Sequence, residues 1–292
     1  MKTFLIIDTH ALLHRFYHAM PPLTSKIGEP VGALYGLAGI LLKILAPQDG
    51  GSSPDYIAAA LDRPEKTFRS ENYPEYKLNR PKTDDALIHQ LRRVPELFEQ
   101  FGVSALSVAG FEADDIIGTL VELFKTESDL RIVILSGDRD LLQLVSNDRI
   151  VVNILKTGMS TTELCDEACV IGRFGIAPLQ LVDYKGLVGD PSDNIPGVSG
   201  IGPKAATELL KEFKNLEGIY ENFGLIKRSV AEKLDRDRKQ AFLSRELATI
   251  RRDVPLDSSL KLHGFKCPSL NVAAITPYFQ SLGFQSFLDR YR

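Results

Sequence analysis

The amino-acid sequence predicts an α/β protein with a mainly parallel central sheet flanked by helices, followed by a helical C-terminal lobe. Up to about residue 155, apolar segments of strand length alternate with segments of helical periodicity, which is typical of parallel strands joined by crossover helices. Beyond that point the apolar spacing is helical only. A chain of 292 residues that is 44% hydrophobic and 25% charged has enough material for more than one lobe.

Each predicted element has a local reason. Strands are predicted where a short apolar run ends at a polar residue, at residues 4–7, 56–61, 103–108, 130–135 and 150–155. Helices are predicted where apolar residues recur at three- and four-residue spacing, at residues 11–20, 30–45, 84–101, 114–125, 162–174, 178–187 and 203–213, with further helices to the end. A Gly/Ser/Pro loop is expected at residues 47–54, and Gly102 is expected to cap the helix before it.

The segment 63–83 differs from the elements around it. Three prolines interrupt it, and basic residues alternate with aromatic rings, namely Arg63, Lys66, Phe68, Arg69, Tyr73, Tyr76, Lys77, Arg80 and Lys82. We do not expect it to be a core element. Two interpretations stay open: a solvated loop, or a segment that grips phosphates and offers rings for base stacking.

Carboxylates gather where the predicted strands end. Asp8 follows the first strand, Asp62 follows the second, and the pair Asp138 and Asp140 follows a later one. The other acids in such positions are Glu112, Asp114, Asp115, Asp190 and Asp193. A single strand-terminal Asp is usually a cap or turn residue. Because sites in open α/β sheets form at the carboxyl ends of the strands, the repetition predicts one acidic site.

Clustered carboxylates repel one another, and their desolvation is costly unless cations neutralise them. Hard oxygen ligands suit Mg²⁺ or Mn²⁺, and two such ions ~3.5–4 Å apart can activate water and stabilise the leaving oxygen of a phosphodiester. The pattern therefore predicts metal-dependent phosphodiester hydrolysis. A phosphatase of the haloacid-dehalogenase type also places an Asp after its first strand, but it needs a second Asp two residues later, where this chain has His10.

Residues 195–206 predict a second binding site. Gly200 and Gly202 allow close backbone approach, and Pro203 is a natural first residue of a helix whose free N–H groups can bind phosphate. Lys204 follows at once. With the predicted helices on either side, residues 178–214 form a helix–hairpin–helix module that would hold the backbone of duplex DNA without reading its bases.

The net charge of −3 does not exclude a nucleic-acid partner. Without the nine carboxylates of the predicted site, 29 Asp and Glu remain against 35 Lys and Arg, so the rest of the chain is positive. No apolar run approaches the ~20 residues of a membrane span, and the N-terminus lacks the features of a signal peptide. We interpret the three cysteines as free thiols of a cytoplasmic, nucleoid-associated protein, namely Cys165, Cys169 and Cys267.

Over essentially its whole length the chain resembles the 5′-nuclease domain of bacterial DNA polymerase I and its flap-endonuclease relatives. The segments that carry the resemblance are residues 7–8, 12–15, 28–32, 68–69, 76–81, 110–115, 136–141 and 189–202. The resemblance implies a PIN-like catalytic domain at residues 1–160, in which residues 63–101 form a helical arch, and a helical lobe at residues 161–292. It also implies a 5′–3′ exonuclease and 5′-flap endonuclease.

The resemblance assigns roles to single residues. One Mg²⁺ or Mn²⁺ is expected near Asp8, Asp62, Glu112 and Asp114. A second is expected near Asp138, Asp140, Asp190 and Asp193, with Asp115 close by. The expected catalytic cations are Lys77 and Arg80. The expected DNA contacts are His14, Arg15, Arg69, Gly200, Gly202 and Lys204. A K⁺ ion in the hairpin is expected near Val198, Ser199 and Ile201.

Three positions depart from the family pattern: Thr9 replaces the usual Gly, His14 replaces an aromatic ring, and Arg139 replaces the common Lys. The expected substrates are 5′ flaps, nicks and RNA-primed ends of DNA, including RNA–DNA hybrids. We expect a monomer with a polymerase partner. No polymerase domain is present, so the sequence suits a stand-alone nuclease or an excised domain. The alternative function is a non-catalytic branched-DNA binding module with a structural acid cluster.

Overall fold

The computed structural model describes residues 1–47, 50–156 and 162–291. Its strands are β1 (Lys2–Asp8), β2 (Tyr56–Ala60), β3 (Ser104–Leu106), β4 (Leu130–Ser136), β5 (Ile150–Leu155) and β6 (Thr162–Cys165). Its α-helices are α1 (Thr9–Ala19), α2 (Gly32–Leu45), α3 (Phe68–Asn72), α4 (Asp85–Phe101), α5 (Ala113–Phe124), α6 (Glu167–Phe174), α7 (Leu181–Val188), α8 (Pro203–Phe213), α9 (Leu216–Glu221), α10 (Arg228–Arg236), α11 (Arg238–Ala248), α12 (Val272–Leu282) and α13 (Gln285–Tyr291). Part of the predicted loop at 47–54 and the predicted domain boundary at 160/161 lie outside the described residues.

The sheet confirms the predicted fold class. The described strands form one six-stranded sheet in the order β3-β2-β1-β4-β5-β6. The pairs among β1 to β5 are parallel, and only the edge strand β6 is antiparallel. Asp8 pairs in register with Ala60 of β2, while Ile7 pairs with Leu135 of β4. The carboxyl ends of these three strands therefore lie side by side.

Two apolar cores lie on opposite faces of the sheet, because side chains along a strand alternate between its faces. Phe4 and Ile6 of β1 belong to the core that α5 covers, whereas Leu5 and Ile7 belong to the core formed with α1, α2 and α4. Each fully buried side chain of this size contributes about 1.5–3 kcal/mol. The helices that carry functional residues are thereby fixed to the sheet.

Helix α4 packs into the core. Its apolar side chains face the second core, and the buried Gln90 accepts a hydrogen bond from the backbone N–H of Ala33 at 2.7 Å. The predicted C-cap is confirmed, since Gly102 adopts the left-handed conformation with φ of 69°. Within the segment 63–101 the helices are the short α3 and this core helix α4, and an arch over the site stays a prediction. Arg69 and Tyr76 of this segment are buried, which the sequence did not indicate.

The predicted helix at 162–174 is wrong in its first part. Residues Thr162–Cys165 form β6, in which Leu164 pairs with Asn153 of β5. The helix α6 begins only after Asp166, whose side chain accepts a hydrogen bond from the N–H of Cys169. Pairing with an available sheet edge therefore overrides the local helical spacing.

The predicted free thiols need correction, whereas the helical character of the C-terminal part of the chain is confirmed. Cys165 and Cys169 are joined in a disulfide, and Cys267 is a half-buried free cysteine. The helices α12 and α13 pack on the second core through residues such as Phe279 and Leu288. Apart from β6, the regular elements described after residue 161 are all helices. Within the described ranges, no helix is long and apolar enough to cross a membrane.

Candidate metal centre and nucleic-acid interface

Asp8 and Asp62 are placed by the strands β1 and β2. Asp8 is buried at the end of β1, where it caps α1 by accepting from the N–H of Ala11 at 3.3 Å and also accepts from the Ser136 hydroxyl. Asp62 accepts from the N–H of Ala113 at the start of α5 at 2.6 Å. The Nδ1 atom of His10 accepts from the N–H of Asp62 at 3.1 Å, so this histidine supports the turn.

Asp138 lies at the centre of the acids. It follows β4, its N–H donates to Ser136 Oγ at 2.8 Å, and its Oδ1 accepts from the N–H of Asp140 at 2.9 Å. Its charge raises the pKa of Asp8, Asp114 and Asp140. The structure thus brings together the acids from four strand ends and from the 190–193 loop. We call the following residues the carboxylate cluster: Asp8, Asp62, Glu112, Asp114, Asp138, Asp140, Asp190 and Asp193.

Basic side chains sit directly on this cluster. Lys77 Nζ lies 2.8 Å from Glu112 Oε1 and 3.9 Å from Asp193 Oδ2, and Arg80 pairs with Asp193. Both expected catalytic cations therefore lie at the site. The segment that carries them is docked on the acidic loop, since the N–H of Lys77 donates to the carbonyl of Asp193 at 2.9 Å.

Lys185 is a functional residue that the sequence reasoning missed. Its ammonium group pairs with Asp140 and lies 2.6 Å from Asp190 Oδ2. Burial alone would raise the pKa of Asp190, but Lys185 outweighs it and the pKa falls. The sequence did contain a signal: Lys185 lies inside the mainly apolar helix α7, and this helix ends directly before Gly189. Lys185 holds together two acids that lie far apart in the sequence.

The buried carboxylates of the cluster repel one another, so bound cations would stabilise their ionised form. Burial, together with the charges of Asp138 and Asp62, raises the pKa of Asp8 to about 7 against the hydrogen bond from Ser136. Burial also raises the pKa of Asp140 to about 6 despite Lys185, and raises that of Asp114 further. These oxygens fit Mg²⁺ or Mn²⁺. Among the residues described, no three His, Cys, Asp or Glu side chains already stand close enough together to hold a metal ion.

We expect the stability of the metal-free protein to fall as the pH rises. The raised pKa values of Asp8 and Asp140 mean that the folded state keeps protons that the unfolded chain loses between pH 3.8 and about 7. The free energy of unfolding therefore decreases across this window. The Tm in EDTA should be several degrees lower at about pH 8 than at about pH 5.5, and Mg²⁺ should raise it more at the higher pH.

The variant Asp140→Asn should reduce this pH difference, because the amide does not ionise. Asp289→Asn, on the exposed face of α13, serves as the matched control and should leave the difference unchanged. A Tm in EDTA that rises over the same pH interval in the wild type would contradict the argument.

Asp115 and Arg69 have structural roles, contrary to the sequence prediction. Asp115 is fully buried, and its oxygens lie 2.7 and 2.8 Å from two guanidinium nitrogens of Arg69. It also accepts from the N–H groups of Glu112 and Arg251. The guanidinium of Arg69 also donates hydrogen bonds to Glu112 and to the carbonyls of Leu247 and Thr249. Neither side chain is free for a metal or for DNA, and the pair instead orients Glu112.

The other expected DNA contacts remain accessible. Arg15 lines a cavity of about 510 Å³ together with Asp138 and Asp190. His14 is exposed on α1, and burial and the nearby His10 lower its pKa, so its imidazole is neutral near pH 7. Contact with DNA stays a prediction for both side chains.

The helix–hairpin–helix geometry is present between α7 and α8. Gly200 has a φ of +83°, Gly202 caps α8, and Pro203 is its first residue. Lys204 is exposed in the first turn, where the N–H groups of a helix lack partners within the helix. The geometry suits phosphate binding.

The K⁺ expected in the hairpin stays a prediction, and two hairpin carbonyls already accept hydrogen bonds from cationic side chains. The carbonyl of Gly200 accepts from Lys233 Nζ at 2.9 Å, and the carbonyl of Ser199 accepts from Arg236 Nη2 at 3.0 Å. These two cations repel a further cation at the same oxygens. The residues expected around the ion are Val198, Ser199 and Ile201, of which Val198 and Ile201 are buried apolar side chains. Positive charge at these oxygens already comes from Lys233 and Arg236, which sequence reasoning missed.

The hairpin and the acidic loop form one unit. Gly189 and Gly197 both have positive φ, and a Cβ on Gly197 would lie 2.2 Å from the backbone nitrogen of Gly189. Asp190 and Ile195 exchange two backbone hydrogen bonds of 2.8 Å, and the N–H of Gly197 donates to Ser244 Oγ at 3.0 Å. The distance between the acids and the hairpin is thereby fixed.

Two families match most of the chain. The family described as "5'-3' exonuclease, N-terminal resolvase-like domain" matches residues 3–175, and that described as "5'-3' exonuclease, C-terminal SAM fold" matches residues 176–270. The DNA polymerase I of Caldicellulosiruptor bescii is 40% identical over 287 residues, which cover 98% of this chain and 33% of that protein. The 5'-3' exonuclease of Aquifex aeolicus is 35% identical over 271 residues, which cover 93% of this chain and 89% of that protein. The chain thus spans about a third of the polymerase relative.

Solved structures show the same fold. The T5 5'-exonuclease with bound zinc has a TM-score of 0.67 at 22% identity, covering 85% of this chain and 89% of that one. The catalytic core of Rad2 in complex with DNA substrate has a TM-score of 0.60 at 16% identity, covering 96% and 87%. Together with the family matches and the identity to the Aquifex protein, the fold and the acidic site lead to one conclusion: the chain belongs to the 5'-3' exonuclease family.

Proposed function

We propose that the protein is a structure-specific 5′ nuclease that hydrolyses DNA phosphodiesters at 5′ flaps, nicks and RNA-primed ends. One observation carries the proposal: acids from four strand ends meet at one edge of the sheet, with Lys77 and Arg80 directly against them. Relatives named 5'-3' exonuclease and DNA polymerase I support it. A polymerase partner, a monomeric state and a location at the nucleoid stay predictions.

The carboxylate cluster would hold two Mg²⁺ or Mn²⁺ ions, one near Asp8, Asp62, Glu112 and Asp114, and one near Asp138, Asp140, Asp190 and Asp193. When bound, such ions activate water and stabilise charge on a phosphodiester. The chain's own residues would do the rest. The buried Arg69–Asp115 pair orients Glu112, and Lys185 holds Asp140 beside Asp190.

Lys77 and Arg80 would stabilise charge on the scissile phosphate. In the structure they pair with Glu112 and Asp193, and the opposite charges raise the pKa of Lys77 against its burial. Both groups are therefore cationic over the working pH range. A phosphate entering the cluster would offer oxygens to Lys77 and Arg80 in place of the carboxylates of Glu112 and Asp193.

Replacing Lys77 with Ala should lower the single-turnover cleavage rate about 10²-fold, since one preorganised positive charge is lost where negative charge develops. The measurement is quenched-flow cleavage of a 5′-labelled flap with enzyme in excess. Lys82→Ala removes an exposed lysine from the same segment and is the control. Equal rate losses for the two variants would contradict a catalytic role for Lys77.

The function itself is tested by cleavage of a 5′-labelled double-flap duplex with Mg²⁺ and with EDTA. We expect products cut at or next to the flap junction with Mg²⁺ only. Binding without cleavage under both conditions would refute the nuclease and would favour a branched-DNA binding module. Cleavage at random positions would refute the structural specificity.

A further inference from the structure

A basic cleft continues from the carboxylate cluster to the edge of the sheet. The cavity at the cluster is lined by Arg15, Gly137, Arg139 and Phe174, and the same four residues line a neighbouring cavity of about 630 Å³. The two cavities are therefore parts of one groove. The second cavity extends along the ends of β5 and β6 to α6.

The charge changes sign along this groove. We call its outer part the edge cleft, defined by Arg15, Arg139, Lys156, Glu163 and Arg173. It holds four cations and one carboxylate, whereas the inner cavity holds Asp138, Asp140 and Asp190. The edge cleft thus has an excess of positive charge next to the acids.

Glu163 positions two of the cations. Its carboxylate lies 2.8 Å from Lys156 Nζ and pairs with Arg173, and hydrogen bonds from these two side chains lower its pKa to about 2. One carboxylate cannot neutralise both partners. Within the described ranges, no carboxylate forms an ion pair with Arg15 or Arg139. The cleft therefore keeps positive charge that can bind an anion.

Gly137 forms the passage between the two cavities. A Cβ at this position would lie 3.6 Å from Arg15 Nη1, so the arginine lies directly above the glycine. The guanidinium of Arg15 borders both cavities. An extended chain of anionic groups can therefore run from the acids past Arg15 into the edge cleft.

We infer that the edge cleft binds the sugar–phosphate backbone of the nucleic-acid strand next to the cleaved bond. The inference rests on the proposed function, because the phosphodiester at the acids sets where the strand begins. Several cations along one groove can contact successive phosphates, and such contacts position a strand without reading its sequence. The new contacts are Lys156, which follows β5, and Arg173, which lies in α6; neither has another proposed role.

The test is the salt dependence of binding to 5′-flap DNA in EDTA, measured by fluorescence anisotropy over a range of KCl concentrations. For the double variant Lys156→Gln with Arg173→Gln, the slope of log K against log[KCl] should become shallower by about 1.4–1.8, because two phosphate contacts are lost. Glu163→Gln should change the slope in the opposite direction, since it frees both cations.

The matched control is Lys43→Gln with Lys125→Gln. Both lysines lie at the C-terminal ends of helices that lead into a strand, α2 before β2 and α5 before β4. They therefore lie near the amino ends of the strands, whereas the carboxylate cluster lies at the carboxyl ends. This variant should keep the wild-type slope. A slope for the cleft variant that equals the control would overturn the inference.

Shortened substrates decide whether the effect is local. Removing the substrate arm that lies in the cleft should abolish the difference in salt-dependence slope between the cleft variant and the wild type. A difference that survives removal of every arm in turn would indicate a general loss of charge and would overturn the inference. Wild-type cleavage with Mg²⁺ is followed in parallel. Its failure refutes the proposed function, whereas cleavage with an unchanged slope refutes only the edge cleft.

Discussion

Replacing Asp138 with Ala should lower the rate of flap cleavage by roughly 10³-fold or more while DNA binding persists. The reason is its position among the acids, since burial raises the pKa of Asp8, Asp114 and Asp140 and the charge of Asp138 raises all three further. Its Oδ1 also fixes the turn to Asp140. Replacing it would remove both a proposed metal ligand and the hydrogen bond that fixes the turn.

The variant Asp138→Asn separates these two contributions. The amide keeps an oxygen that can accept the hydrogen bond from Asp140 but loses the charge, so cleavage should still be lost while the fold is kept. Asp253→Asn, in an exposed ion pair with Arg251, is the control. Single-turnover rates and anisotropy titrations measure the two properties. A rate within about tenfold of the wild type would refute the assignment of Asp138.

Replacing Arg69 with Ala should lower the free energy of unfolding by about 3–5 kcal/mol, because Asp115 would be left as a buried charge without its partner. The side chains of Arg69 and Asp115 are 3% and 0% exposed. The variant also leaves the carbonyls of Leu247 and Thr249 without the hydrogen bonds from Arg69 that connect α3 to the end of α11. Urea unfolding measures the loss.

Arg251→Ala is the matched control for Arg69→Ala. Its partner Asp253 is exposed, so the expected loss is about 0–1 kcal/mol. Adding Asp115→Asn to Arg69→Ala should recover part of the stability, since it removes the stranded charge. If the double variant is less stable than Arg69→Ala alone, the buried charge is not the cause of the loss.

The carboxylate cluster could be predicted from sequence because parallel strands bring their carboxyl ends to one edge. Asp8 and Asp62 each follow an apolar run that only a buried strand explains, and the register places the ends of β1 and β2 together. A local pattern and one topological rule were sufficient. The hairpin was predictable for the same reason, since Gly200 to Pro203 specify its turn without distant partners.

The roles of Arg69 and Lys185 could not be predicted in this way. Arg69 contacts carbonyls 178 and 180 residues further along the chain, and its basic surroundings in the sequence indicated an exposed position. Lys185 acts on Asp140, 45 residues earlier, only because α7 packs beside the turn after β4. The residues of β6 were predicted as a helix because their local spacing is helical. That spacing carries no information about β5, whose free edge is where β6 pairs.

The close contact between Gly189 and Gly197 has a consequence for where a substrate is cut. The hairpin that would hold the duplex and the loop that carries Asp190 are joined through backbone atoms, without a flexible linker between them. Under the proposed function, a duplex held at the hairpin would therefore present the same phosphate to the acids each time. The two glycines would then fix the distance between the held duplex and the cut bond, so that the position of the cut would depend on the fold rather than on the DNA sequence.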